Sequence, residues 1–98
     1  MMHYRQGDLL FVQINSWPEN ALRLPTNVLG EGEKLGHRHV LEAPGELFLS
    51  NGQLIFKIRD QALITHPEHR TLELPSGHYR VIHQREYRPA APPRPIRD

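Results

Sequence analysis

The chain has 98 residues, enough for one domain with a modest core, and it contains no cysteine, which excludes disulfides and thiolate metal ligands. The 12 Lys and Arg residues against 11 Asp and Glu leave a formal charge of +1, so nucleic-acid binding is not expected from electrostatics. No apolar run approaches membrane length and residues 1–8 lack the apolar core of a signal peptide, so we expect a soluble, cytoplasmic protein without a membrane partner. An oligomeric state cannot be read from these numbers.

The N-terminal third reads as strands separated by turn residues. Asp8–Ile14 is a short apolar run that predicts a strand buried on both faces. Residues 15–25 are rich in turn formers and predict a loop, with Trp17 covering an edge of the core. A short strand over Thr26–Leu29 and a glycine-rich reversal over residues 30–34 follow.

The middle of the chain continues in the same manner. Residues 35–41 predict a strand, and residues 43–46 predict a turn. Asn51-Gly52 stands between two apolar runs and predicts a tight hairpin, because both residues tolerate the positive φ of a type I′ turn. Asp60-Gln61 predicts a break before the next strand.

The C-terminal third predicts a strand over residues 71–74, a turn at Pro75-Ser76-Gly77, a long strand over residues 78–87 and a proline-rich tail. The whole pattern predicts an all-β fold, a small and mostly antiparallel β-barrel or roll with short strands. We expect a single β domain over residues 1–87 and an extended or disordered tail over residues 88–98.

Two histidine pairs are the feature that points to chemistry. His37 and His39 are two residues apart, so a strand presents both imidazoles on one face. His66 and His69 are the first and fourth residues around Pro67, and a tight turn brings such residues together. Strands distant along the chain become neighbours in a sheet, so the two pairs can form one site.

Neutral imidazole is a common ligand of Zn, Ni, Fe and Cu, so the four histidines predict a site for a divalent transition metal. The alternative is that each histidine has its own local partner: His37 and His39 bonded to backbone or carboxylates, and His66 or His69 capping its turn. Glu68, inside the turn, is the candidate for orienting an imidazole or, in an enzyme, for activating water.

The ordered pattern also resembles a family of small uncharacterised bacterial and phage proteins. The motifs that carry this resemblance are Gly7-Asp8 before an apolar strand, Gly32-x-x-x-Gly36-His37-x-His39, Thr65-His66-x-x-His69, Glu73-Leu74-Pro75-x-Gly77 and Gln84-Arg85-Glu86-Tyr87-x-Pro89. The resemblance covers nearly the whole chain and implies no activity.

A second resemblance is to cupins. His37-x-His39 followed by Glu42, and Pro75-x-Gly77-His78, are similar to the two cupin metal-binding motifs. This resemblance implies a barrel with a divalent metal inside.

Three functions are therefore open. The first is a small metal-binding module that uses His37, His39, His66 and His69. The second is a cupin-like metal-dependent enzyme, in which three histidines leave an open coordination position. The third is a metal-free interaction domain whose proline- and arginine-rich residues 88–98 bind a protein partner.

Overall fold

The computed structural model describes residues 3–31, 37–88 and 91–95, and within these ranges it contains strands and no helix, so none that could cross a membrane. The strands are β1 His3–Gln6, β2 Leu9–Ile14, β3 Leu22–Arg23, β4 Val28–Glu31, β5 Arg38–Leu41, β6 Gly45–Ser50, β7 Gln53–Thr65, β8 Leu72–His83, β9 Arg85–Arg88 and β10 Ala91–Pro95. The predicted all-β class is confirmed.

Eight of these strands form one antiparallel sheet in the order β1-β2-β8-β7-β5-β4. Strand β7 is the centre: one edge pairs with β8, while the other pairs first with β6 and then with β5. Strand β3 pairs with the outer edge of β6. The sheet is not a closed barrel, since β1 and β4 end it without pairing to each other within the described residues.

The two ends of this sheet nevertheless approach each other. A Cβ built on Gly30 in β4 would lie 3.2 Å from Cε1 of His83 in β8 and 3.5 Å from Cδ1 of Leu9 in β2. Because β7 and β5 separate β4 from β8 in the strand order, this contact requires the sheet to curl. The result is a roll with a seam.

The long strands β7 and β8 contain a β-bulge where the sequence predicted a break and a turn. Asp60-Gln61 does not break a strand and Pro75-Ser76-Gly77 does not make a turn, because β7 and β8 run continuously through both positions. Instead the register shifts between Ile58 and Gln61, where β7 carries one residue more than β8. A β-bulge bends a strand without ending it, and a proline is tolerated beside one. Gly77 takes a φ of 149° opposite this bulge.

Two sets of side chains pack against the two faces of the sheet. The inner set includes aromatic contacts of Phe56 with Phe11 at 5.8 Å and with Tyr79 at 5.1 Å between ring centroids. It consists of Leu9, Phe11, Leu29, Leu41, Leu47, Phe56, Ile58, Ala62, Ile64, Leu74, Tyr79 and Val81. On the other face Trp17 covers Phe48 edge-to-face at 4.9 Å, as predicted for this residue.

The other predicted elements have mixed outcomes. The Asn51-Gly52 hairpin is confirmed, with φ values of 50° and 76°. Strand β1 was not predicted, β4 begins two residues later than expected, and the long strand predicted over residues 78–87 ends at His83. The reversal predicted over residues 30–34 and the start of the strand predicted from residue 35 fall largely on residues 32–36, which lie outside the described part.

The proline-rich C-terminal segment is extended where it is described. Strand β10 pairs with β9 in a separate two-stranded antiparallel sheet, rather than with a strand of the roll. Residues 89, 90 and 96–98 lie outside the described ranges.

Candidate metal centre

Three segments meet at the seam of the roll. They are the turn between β1 and β2, the start of β5, and the loop from β7 to β8. The first of these lies beside the C-terminal end of β8, where Leu9 pairs with His83, while the last precedes the N-terminal end of β8. A straight strand of this length would keep its ends about 35 Å apart, so the bend in the sheet is what brings these segments together.

All four histidines of the predicted pairs lie in this region, and His66 is at its centre. The ring centroid of His66 is 4.4 Å from that of His39, 4.4 Å from that of His69 and 6.0 Å from that of His37. The rings of His39 and His69 are nearly parallel, with centroids 5.9 Å apart. The structure therefore brings the two pairs, which are distant in sequence, into one cluster.

His39 is fully buried, with 0% exposure, and its orientation is set by Gln6. The amide nitrogen of Gln6 donates to the carbonyl oxygens of Ile64 at 2.8 Å and Arg70 at 2.9 Å. This leaves the Gln6 carbonyl oxygen facing Nδ1 of His39 at 2.9 Å, where it accepts a hydrogen bond. Nδ1 therefore carries the proton, and in the neutral ring Nε2 has a lone pair.

Asp8 faces that second nitrogen of His39. Its carboxyl oxygen Oδ1 lies 3.7 Å from Nε2, and both side chains are buried. This separation is too long for a hydrogen bond. Asp8 is held here by the tight turn between β1 and β2, in which Gln6 pairs with Leu9.

In His66, unlike His39, Nδ1 accepts hydrogen bonds. Its Nδ1 accepts the backbone N–H of Glu68 at 3.0 Å and that of His69 at 3.3 Å, so the side chain caps its own turn. This is the local role that the sequence left open for one histidine of this pair. Nε2 of His66 is buried and has no hydrogen-bond partner within the described part of the chain.

Gly7 makes the close approach of two of these rings feasible. It has a φ of 60°, and a Cβ built on it would lie 2.7 Å from Nε2 of His69 and 3.2 Å from Cε1 of His39. A side chain at this position would therefore overlap the cluster, in addition to straining the backbone.

His37 lies at the rim of the cluster. Its Nδ1 is 2.5 Å from a carboxyl oxygen of Glu68, and both side chains are partly exposed. A carboxylate accepts from a ring N–H, so this contact leaves Nε2 of His37 as the nitrogen with a lone pair. The structure thus joins Glu68 to His37, one of the two roles expected for this residue.

Burial keeps the central rings neutral. It lowers the pKa of His39 to about 4, with a further lowering from neighbouring His66. Burial also lowers the pKa of His66, and the neighbouring His69 lowers it further. Neutral imidazole is the form that binds metal, so at neutral pH these rings need lose no proton to do so.

Other polar residues considered from the sequence have separate contacts. Glu42 accepts a hydrogen bond from the hydroxyl of Thr65 at 3.1 Å. The ring of His78 packs on Trp17 with centroids 4.8 Å apart. The two residues that the cupin resemblance adds are therefore engaged elsewhere.

Sequence reasoning missed the site residues contributed by the first turn. Gln6 and Asp8 surround Gly7 directly before an apolar strand, and both are buried, with exposures of 2% and 5%. The Gly-Asp pair was a signal for a turn, but no local pattern indicates that this turn meets residues 60 positions further along the chain.

No three His, Asp or Glu side chains in the described ranges have their ligand atoms already arranged to hold one metal ion in this conformation. The rings are nevertheless spaced as metal ligands are. Imidazoles bound to one tetrahedral ion through nitrogens at 2.0–2.1 Å have centroids about 5 Å apart. The centroid separation of 5.9 Å between His39 and His69 is close to that value, and the other separations in the cluster run from 4.4 to 6.0 Å.

Comparison with known proteins gives a family and no function. No curated protein and no solved structure matches the chain. The family model described as a domain of unknown function, DUF8820, matches residues 5–84, which include the whole histidine cluster with Gln6 and Asp8 and end before β9. The chain therefore belongs to the DUF8820 family.

Proposed function

We propose that this chain binds one divalent transition-metal ion at the seam of the roll, with His39, His69 and Asp8 as ligands. The observation that carries the proposal is Nε2 of His39. It is buried, it has no hydrogen-bond partner within residues 3–31, 37–88 and 91–95, and it faces a buried carboxylate oxygen at 3.7 Å. A buried polar atom without a partner costs free energy, which a metal ion between the two groups would offset.

The separation between the two groups supports this assignment. Two ligand atoms each about 2.1 Å from one ion in a tetrahedral site lie about 3.4 Å apart. The distance from Nε2 of His39 to Oδ1 of Asp8 is 3.7 Å, longer than a hydrogen bond and close to that value. His69 is the third ligand. Its Nε2 and Cε1 of His39 lie on the same side of Gly7, 2.7 Å and 3.2 Å from the position that a Cβ on Gly7 would take.

The surroundings of His39 are those of a metal ligand. A ligating histidine almost always donates its other ring N–H to an oxygen, which fixes the tautomer and the ring orientation. The Gln6 carbonyl oxygen accepts the Nδ1–H of His39 at 2.9 Å, and a carboxyl oxygen of Glu68 accepts that of His37 at 2.5 Å. His37 is therefore prepared in the same way and is the candidate for a further ligand at the rim.

The donor set limits the metal. Two imidazoles and one carboxylate, without thiolate, suit Zn, Fe, Ni or Cu ions. The role we propose is that of a metal-binding module in which the ion ties together the first turn, β5 and the loop after β7. In a chain of 98 residues such a tie adds to a core of modest size.

The enzyme alternative receives less support. A catalytic metal needs room for a substrate, and a cavity of about 450 Å³ is lined by Arg38, Val40, Thr65, His66 and Pro67. This cavity borders His66, but His39, Asp8 and His69 are not among the residues that line it. Glu68, the candidate base, is bonded to His37.

Metal analysis of the chain purified without a histidine tag tests the proposal. Elemental analysis after incubation with Zn(II) and gel filtration should find about one equivalent in the natural chain. His39→Ala and Asp8→Asn should each retain far less, because each removes a ligand. His3→Ala is the matched control, since it removes a histidine from β1 outside the cluster.

Circular dichroism confirms folding of every variant before metal is measured. Equal zinc in the natural chain and in both ligand variants would refute the proposal, and so would negligible zinc in all samples.

A further inference from the structure

We infer that the metal centre keeps one coordination position for a small exogenous ligand, water, hydroxide or a small monoanion, and that Nε2–H of His66 donates a hydrogen bond to that ligand. This inference rests on the proposed function. It separates His66 from the other three histidines, which the sequence treats alike.

The first step concerns the tautomer of His66. Its Nδ1 accepts two backbone N–H groups, from Glu68 at 3.0 Å and from His69 at 3.3 Å. A nitrogen that accepts hydrogen bonds carries no proton, so in the neutral ring the proton is on Nε2. A protonated ring nitrogen has no lone pair to give to a metal, which makes His66 a donor beside the centre rather than a ligand.

The second step is the contrast with the neighbouring histidines. Nδ1 of His37 faces a carboxyl oxygen of Glu68, and Nδ1 of His39 faces the carbonyl oxygen of Gln6. Their Nε2 atoms therefore have lone pairs, whereas Nε2 of His66 has a proton. The same residue type thus supplies lone pairs from His37 and His39 and a hydrogen-bond donor from His66.

The third step is where this donor points. His66 is 9% exposed, and its Nε2 is buried without an acceptor in the described part of the chain. Its ring centroid is 4.4 Å from those of both His39 and His69, so the ring that carries this N–H lies within the cluster. A buried donor of this kind calls for an acceptor, and an oxygen or nitrogen ligand on the metal would supply one.

The burial of the site also limits the size of this ligand. The atoms that would surround it, Nε2 of His39 and Nε2 of His66, are both shielded from solvent. The nearby cavity of about 450 Å³ borders His66, but neither His39 nor Asp8 nor His69 lines it. A ligand of two or three atoms fits this description, and azide is a suitable probe.

Azide titration of the Co(II)-loaded full-length chain tests the inference, because Co(II) absorption bands report its coordination. The natural chain should show a saturable change with azide. His66→Asn is the informative variant: the Asn carbonyl can accept the same backbone N–H groups in an Asx-type turn, while the Nε2–H is lost. It should bind Co(II) as the natural chain does and bind azide about tenfold more weakly.

Each outcome is decisive. An unchanged spectrum with azide would overturn the inference while leaving Co(II) binding, and so the proposed function, intact. Loss of Co(II) from His66→Asn, to the extent seen in His39→Ala, would show that His66 is a ligand and would also overturn the inference. Failure of the natural chain to bind Co(II) or Zn(II) would refute the proposed function and this inference together.

Discussion

Gly7 has a strict steric requirement beside the histidine cluster. Its φ is 60°, and a Cβ would lie 2.7 Å from Nε2 of His69. Gly7→Ala should lower the free energy of unfolding by more than the roughly 1–2 kcal/mol expected for backbone strain alone. It should also weaken metal binding, because His69 has to move. Urea unfolding and zinc titration measure the two effects.

Gly52→Ala is the matched control for this substitution. Gly52 also sits in a two-residue hairpin turn, with a φ of 76°, but nothing lies within 4 Å of its Cβ position. This variant should show only the strain and should bind zinc normally. Equal effects of the two substitutions on zinc binding would contradict the role assigned to Gly7.

The buried His39 predicts how stability depends on pH in the metal-free chain. Its pKa is lowered to about 4, chiefly by burial, whereas the unfolded chain titrates near 6.5. The unfolded state therefore binds more protons between these values, so stability is complete above pH 6.5 and is lost as pH falls toward 4. The full difference amounts to about 3 kcal/mol.

Urea unfolding between pH 7 and pH 4.5 in the presence of a chelator checks this expectation. The natural chain should lose stability across this range, and His39→Gln should lose less of it, since the titrating ring is gone. His3→Gln should follow the natural chain. A histidine NMR titration that gives His39 an ordinary pKa would contradict the account.

The sequence predicted the histidine pairs but not which nitrogen of each ring carries the proton. Two-residue spacing on a strand and a Pro67 turn are local signals, and they identify His37, His39, His66 and His69. The tautomer of each ring depends on acceptors such as Gln6, which come from distant strands. Such long-range partners leave no local pattern.

At the scale of elements, Trp17 packs the segment between β2 and β3 against the sheet; the loop predicted over residues 15–25 in fact contains β3. The ring of Trp17 packs on Phe48 at 4.9 Å and on His78 at 4.8 Å. Trp17→Ala should cost about 1–3 kcal/mol, because an aromatic pair is lost and Phe48 becomes exposed. Urea unfolding measures this change.

The control lies in β3, at the end of the same segment. Leu22 is 70% exposed, so Leu22→Ala should change stability by no more than about 0.5 kcal/mol. An equal loss in both variants would mean that Trp17 contributes nothing specific to packing.

The strands were predictable where a local pattern decided them. Asn51-Gly52 specifies its hairpin through backbone conformation alone. Asp60-Gln61 and Pro75-Ser76-Gly77 were misread, because Asp, Pro and Gly mark a bulge as readily as a turn. The distinction depends on whether a neighbouring strand continues to pair across the irregularity, and here β7 and β8 do so.

At the scale of the whole molecule, this bulge and the curl of the sheet create the site. Gln6 reaches Ile64 and Arg70 only because the roll brings its two ends together. The fold class followed from strand and turn signals, whereas the seam depends on the curvature of the complete sheet. The interaction expected of residues 88–98 stays a prediction, and β10 pairs with β9 outside the roll.

The most direct test is anomalous diffraction from crystals of the untagged chain grown with Zn(II). The account predicts one peak at the zinc edge, about 2.0–2.2 Å from Nε2 of His39 and from ligand atoms of His69 and Asp8. Nε2 of His66 should lie beyond bonding distance of the ion, in contact with a small ligand. A peak bound by other residues, or no peak near His39, would contradict the central claim.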